Sequence, residues 1–319
     1  MNDKRNQMQE TWPNGRTGRP LQTRWGEKPY YSLDYYLKET FGQKVYKLAL
    51  DGGMTCPSRD GTLGTGGCIF CSEGGSGDFA ESPPPSGSGP GCGTPAAPGR
   101  VSPSLPEIEQ RIARLDVCGQ KARVSSKIKD GKYVAYFQSY TNTYGPLPYL
   151  TALFSQAVSH PDIVALSIGT RPDCLPKETI ALLKKLNQEK PVWVELGLQT
   201  IHEDSAHLIR RGYELPCFLD ALRRLKEAGL TVVVHVILGL PGETREDMLE
   251  TVRFLGRLDN PSIDGIKLQL LHVLKGTELC RLYEREPFHV MEPEEYFSLI
   301  ADCIRLLPPH IVIHRISGD

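Results

Sequence analysis

The 319-residue sequence contains no apolar run approaching the roughly 18 residues that span a bilayer. Its polar start, MNDKRNQMQETWPNG, lacks the apolar centre of a signal peptide. Those absences predict a soluble, cytoplasmic protein. Excess charge of one sign is also missing: 37 basic and 38 acidic residues leave a net charge of −1 and no overall nucleic-acid signature. No histidine lies between Tyr30 and His160, which bears on any zinc site in that stretch. Cysteine, by contrast, is not scarce. Nine scattered cysteines, an odd number, argue against a disulfide framework and for reduced thiols with metal or redox uses.

With 39% hydrophobic residues the chain can bury a substantial core. Residues 1–28 are polar and punctuated by Gly and Pro, which predicts a loosely docked extension. Six β-branched or aromatic runs follow: VYKLAL, YVAYF, IVALSI, VWVEL, VVVHVIL and IKLQLL. Helical-period segments alternate with them, including CFLDALRRLKEAG with Gly229 as its stop. That alternation predicts a parallel sheet with right-handed crossovers, covered on both faces. Six βα units fall short of the eight that close a full barrel, so an arc with a lateral opening is expected over residues 29–275. Residues 276–319 should add a helix, PEEYFSLIADCIRLL, and an edge strand within HIVIHRISGD. The Gly/Pro/Ser-rich stretch 74–106 cannot bury enough apolar surface to offset its ordering entropy and is expected to be a disordered insertion. Cys92 within it is a remote candidate for a fourth metal ligand.

Directly behind VYKLAL lie Cys56, Cys68 and Cys71, spaced C-x11-C-x2-C. The x2 pair lets two sulfurs face one metal centre, and the glycines of GTLGTGG let Cys56 fold back towards them. Structural zinc wants four ligands, and only three are supplied locally. A 4Fe–4S cluster with one iron left open fits better. Glu195, set among Val192, Trp193, Val194, Leu196 and Leu198, must be buried with a partner or face a barrel interior. His235 interrupts the fifth strand, as a satisfied core histidine or as a ligand-contacting one.

This pattern resembles the radical S-adenosylmethionine (radical SAM) enzymes. KPYYSLDYYLKETFGQKVYKLALDGGMTCPSRDG, YFQSYTNTYGP, SIGTRPDCLP, VELGLQTIHEDSAHLIRRGY, HVILGLPGET and KLQLLHVLKGT are similar to the branch that includes the catalytic subunit of Elongator and the bacterial YtqA/YhcC type. The resemblance implies an α/β fold, a partial (β/α)6 TIM-like barrel, with a 4Fe–4S cluster on Cys56, Cys68 and Cys71 and S-adenosylmethionine (SAM) as cofactors. It implies that Phe70 packs beside the adenine, and that Gln138, Ser139, Thr141 and Asn142 stand where the family binds the methionine amino group, although the usual Gly-Gly-Glu turn is absent. Gln199 and His235 would contact the ribose, Arg211 the methionine carboxylate, and Gly239 and Gly242 the adenine. The Arg171–Asp173 pair would lie at the cavity rim, with Arg210 facing solvent.

The same branch implies tRNA as substrate, with the carboxymethylaminomethyl group at carbon 5 of wobble uridine trimmed to aminomethyl. An electron donor such as flavodoxin or ferredoxin is implied as well. Lys121, Arg123, Lys127, Lys129 and Lys132, the N-terminal Arg16, Arg19, Arg24 and Lys28, and His314 with Arg315 would then hold phosphates, while Tyr140, Tyr144 and Tyr149 could stack on bases. The chain ends within about 45 residues of the sixth strand, so an acetyltransferase-like domain is not expected. Two other readings stay open: a radical SAM enzyme acting on a small molecule or peptide, and a non-catalytic zinc or iron–sulfur protein.

Overall fold

A computed structural model describes residues 24–72, 75 and 131–317. The insertion expected over 74–106 apart from Gly75, its Cys92, the basic residues Lys121 to Lys129, and Arg16 and Arg19 lie outside the described residues.

Seven strands form one sheet in sequence order: β1 (Val45–Leu50), β2 (Lys132–Phe137), β3 (Ile163–Thr170), β4 (Val192–Gln199), β5 (Thr231–Leu238), β6 (Gly265–Leu270) and β7 (Val312–Arg315). Every neighbouring pair is parallel. The sheet curves into a half-barrel with two edges, β1 and β7. Crossovers run through α2 (Leu147–Ser159), α3 (Lys177–Leu186), α5 (Leu215–Glu227) and α6 (Arg245–Arg257), with a short α4 (Glu203–Leu208) ahead of α5. Residues 276–319 contribute α7 (Glu278–Arg285), α8 (Pro293–Leu306) and the seventh strand, which extends the barrel sheet itself.

Local chemistry sets these boundaries. A capping box between Thr244 and Asp247 starts α6, and α5 stops where Gly229 takes φ +77°, a left-handed turn that a side chain would resist. Three helices were not foreseen from periodicity: the short α4 and α7, and α1 (Leu33–Phe41). Ser32 caps it by accepting from the Tyr35 N–H at 3.3 Å. Just before it, the Tyr31 carbonyl accepts from Ile313 N–H at 2.7 Å, so this segment joins β7 before the chain enters β1.

Alternation along the strands sorts the side chains into two sets. Leu48, Phe137, Leu166, Val194, Val234 and Leu268 point outward into the main core beneath the crossover helices. The inward set is layered. Val45, Val134, Ala165 and Trp193 form a separate apolar floor with Leu37 of α1. Above them lies a polar layer of Lys47, Tyr136, Ser167, Glu195, His235 and Lys267, joined by hydrogen bonds. Above that, at the carboxyl ends of the strands, a cavity opens.

Candidate active site

The loop after β1 carries all three cysteines to this cavity, which Cys56, Cys68 and Cys71 line together. Its long gap is a closed turn. Leu63 N–H donates to Pro57 O at 2.7 Å, Gly61 N–H to Gly64 O at 3.0 Å, and Gly67 N–H to Ser58 O at 2.8 Å, so the eleven intervening residues return Cys68 to Cys56. Arg59 straps the two arms by donating to the carbonyls of Cys71 (3.2 Å) and Ser72 (2.6 Å). Gly67 is required twice over: its φ is +70°, and a Cβ would meet Arg59 Nε at 2.7 Å. Between the paired cysteines Ile69 is only 4% exposed, packed with Ile209, Ile237 and Leu279 and held by main-chain bonds to Ile209 and Leu279. The thiols are thus fixed from behind while their sulfurs face the cavity.

Burial, then the neighbouring Cys71, push the Cys68 thiol up to about 12, while Arg171 and Arg59 pull the other way. Metal binding takes the proton's place on such a thiol. Three cysteines converging on one cavity, with two guanidinium groups to offset the thiolate charge, suit a cluster that leaves one iron open. Among the described residues no fourth sulfur lines the cavity: Cys174 is buried and donates to Asp173 at 3.6 Å.

Around the thiols the backbone is bent at three non-glycine residues with positive φ: Tyr140 (57°), Gln199 (65°) and Arg210 (56°). Such conformations cost of order 1 kcal/mol each and persist where the surroundings hold them. Here they aim the ends of β2 and β4 at the cavity, and the Arg210 carbonyl accepts from Cys68 Sγ at 3.7 Å. Gly169 and Gly197 line the wall without side chains, leaving room for a ligand.

Below the cavity, Glu195 is the hub of the polar layer. Its buried carboxylate accepts from Lys47 at 3.1 Å, from Ser167 at 2.7 Å, from the His235 Nε2–H at 2.8 Å and from Lys267. Lys267 also donates to the Tyr136 hydroxyl at 2.8 Å, and both lysines lie 4.5 Å from the centre of the Tyr136 ring. Burial alone would raise Glu195, but Lys267, Lys47 and His235 hold it well below the usual carboxylate range. Burial, reinforced by the lysines, lowers His235 to about 4, so its imidazole is neutral. Burial also lowers Lys267, to about 7, against the pull of Glu195.

Of the residues expected in the site, Phe70, Gln138, Thr141, Glu195, Gln199, Arg211 and His235 line the cavity with the cysteines. Ser139 and Asn142 do not. Both are buried, and the Asn142 amide donates to the Gly169 carbonyl at 3.0 Å, tying β2 to β3. Gly239 and Gly242 lie off the cavity in the turn after β5, where a Cβ on Gly239 would meet Met291 at 2.9 Å. Arg211 lines the wall but has spent its donors: Nε on Tyr213 O (2.8 Å), Nη1 on Leu198 O (3.2 Å) and Thr200 O (2.7 Å), and Nη2 on both oxygens of Glu203 (3.1 Å). It braces the loop after β4 instead of presenting a fork to a ligand. Arg210 is half-exposed and paired with Glu278 of α7. Tyr149 is buried with its hydroxyl on Gly52 O, so it does not face solvent as a nucleic-acid contact must, while the partly buried His314 packs its ring edge-on to Trp193.

Sequence reasoning missed Lys47, Lys267 and Tyr136. A signal existed for the lysines, since a charge inside an apolar strand is the feature that singled out Glu195. Arg171 was read as a rim residue. It is 8% exposed, lines the cavity 5.0 Å from the Tyr213 ring, and lowers the Cys68 thiol.

An open parallel barrel with three thiols at the carboxyl ends of its strands is the architecture of a metal-cluster enzyme. Residues 63–255 match the model of the radical SAM superfamily and residues 263–319 that of the Radical_SAM C-terminal domain; the chain belongs to the radical SAM superfamily. It is an enzyme of that class, and its cofactors are a 4Fe–4S cluster and SAM. Among relatives, YtqA of Bacillus subtilis is 41% identical over 293 residues, 92% of this chain and 82% of that protein. A tRNA uridine(34) acetyltransferase of Methanocaldococcus infernus is 32% identical over 158 residues, 49% of this chain and 29% of that protein. The solved structure of the archaeal Methanocaldococcus infernus Elp3 shares the fold, with a TM-score of 0.54 at 23% identity over 67% of this chain and 52% of that one. No helix among the described residues is long and apolar enough to cross a membrane.

Proposed function

We propose that Cys56, Cys68 and Cys71 ligate the cluster, that SAM lies in the cavity they line, and that the substrate is tRNA, trimmed at carbon 5 of wobble uridine from carboxymethylaminomethyl to aminomethyl. When bound, cluster and SAM supply a 5′-deoxyadenosyl radical that abstracts a hydrogen atom. The chain's own residues bind, orient and exclude water. Gln138 and Thr141, at the end of β2, are the polar groups for the methionine amino end. Arg171, with Nε and Nη2 on Asp173 and Nη1 uncommitted among the described residues, takes the methionine carboxylate in place of Arg211. Gln199 and His235 serve the ribose, and Phe70 with Ile237 gives the adenine an apolar face. An electron donor of the flavodoxin or ferredoxin kind completes the system.

The convergence of three thiols on one cavity carries the chemistry. The tRNA reading is supported by the likeness of half the chain to an enzyme named for uridine 34 of tRNA. It is tested by anaerobic incubation of reconstituted protein with SAM, reductant and bulk tRNA, followed by nucleoside analysis. Loss of carboxymethylaminomethyl uridine with gain of aminomethyl uridine is expected. Unchanged tRNA beside abundant 5′-deoxyadenosine removes the substrate, and colourless protein with stoichiometric zinc removes the cluster ligation.

A further inference from the structure

Two ammonium groups share one carboxylate inside the barrel. Lys267, with a side chain 2% exposed, is enclosed against Glu195 and Tyr136. Lys47, 23% exposed, is the partner that reaches outward. It lines a second cavity on the open seam between β1 and β7, together with Lys28 and Arg315, and Arg315 lines the cofactor cavity as well. The two cavities therefore share a wall: Arg315 borders both, and Lys47 reaches from the seam to Glu195, which lines the cofactor cavity. The charged groups facing Lys47 are Glu195 from β4, Lys267 from β6, Arg315 from β7, Lys28 from the segment before α1, and Asp34 of α1, which is paired with Lys38 at 2.8 Å. His235 adds no charge while neutral. Around the seam cavity Lys28, Lys47 and Arg315 face Asp34, which is taken up by Lys38, so positive charge is in excess there even without Lys267, and in a partly dry cavity that imbalance favours an anion from outside.

We propose that the β1–β7 seam is a carboxylate-binding subsite for the substrate and that Lys47 reads that carboxylate, turning from Glu195 while Lys267 stays. The proposal rests on the tRNA reading above and extends it. Trimming breaks the bond between the amine nitrogen and the carboxymethyl carbon, so the carboxylate departs on the two-carbon fragment while the cationic aminomethyl group stays on the uridine; the same subsite that holds substrate therefore repels product.

Binding of two anticodon stem-loops to the anaerobically reconstituted full chain tests this across a salt series. They differ only at the wobble uridine, which carries carboxymethylaminomethyl or aminomethyl. The carboxylate form should bind about tenfold tighter or more, as expected for a charge-assisted contact. Lys47→Met should shrink that preference to about twofold, whereas Lys47→Arg keeps most of it; thermal melting checks that both variants fold. A preference that survives Lys47→Met overturns the proposal. Equal weakening of both RNAs, with the salt slope reduced by about one, means a phosphate contact and overturns it too. Should neither RNA bind, the tRNA reading fails, and sarcosine against its methyl ester decides the subsite. A melting shift from the acid alone, lost in Lys47→Met, sustains it; no such shift ends it.

Discussion

The cysteine loop and the polar layer beneath it are two solutions to holding reactive groups in place. The loop is built of backbone: turns closed by main-chain bonds, glycines where side chains cannot fit, and one anchor, Ile69, pushed into an apolar cluster. The layer is built of side chains on six parallel strands, and its order comes from charge held at low dielectric. A loop can open a coordination position to a ligand. Strands fix positions at the expense of burying charge that must be balanced. The contrast predicts that damage to the loop removes chemistry while the fold survives, and that damage to the layer removes stability first.

The largest effect should come from Cys56→Ala, Cys68→Ala or Cys71→Ala. Each is expected to abolish 5′-deoxyadenosine production and the brown absorbance of reconstituted protein, with an unchanged far-UV spectrum. Full retention of iron in any of them would break the contrast. Next, Glu195→Gln leaves Lys47 and Lys267 without their counter-ion and should cost about 3–5 kcal/mol in chemical denaturation. Adding Lys267→Met should recover part of that loss; no recovery would mean the layer is not an electrostatic unit.

Ile69→Ala empties a buried anchor and is expected to cost about 2–4 kcal/mol locally. Its readout is faster iron release to a chelator, with global melting changed much less. The smallest effect concerns pH. His235 titrates at about 4 in the folded protein against 6.5 in the unfolded chain, so the unfolded state binds more protons between those values. Stability should therefore rise with pH across that window, by on the order of 2 kcal/mol, and fall as pH drops through it. His235→Asn should flatten that rise in denaturation curves taken at pH 4, 5 and 6.5.

Much of the fold was visible in the sequence because each barrel strand is buried on both faces and so appears as a short apolar run. VYKLAL, YVAYF and IVALSI fall on β1, β2 and β3, and the three cysteines follow β1 where chain order places them. Helix α1 was missed because SLDYYLKETF buries only Leu37 fully, too little for a periodic stripe. Arg211 was read as a ligand fork because a guanidinium advertises donors. The carbonyls of Leu198, Thr200 and Tyr213 that consume them leave no mark on residue type.

What the sequence by itself determined is the order of the strands and of the long helices between them, and the set of three thiols on one loop, since hydrophobic runs and cysteine spacing are local properties. Only the tertiary structure decided that Lys47, Tyr136, Glu195, His235 and Lys267 share one layer, and that Arg171 faces the thiols. Alternation tells which face of a strand a residue occupies. Which residues of distant strands meet depends on the curvature and register of the open, curved sheet, and those are set by the packing of the whole half-barrel.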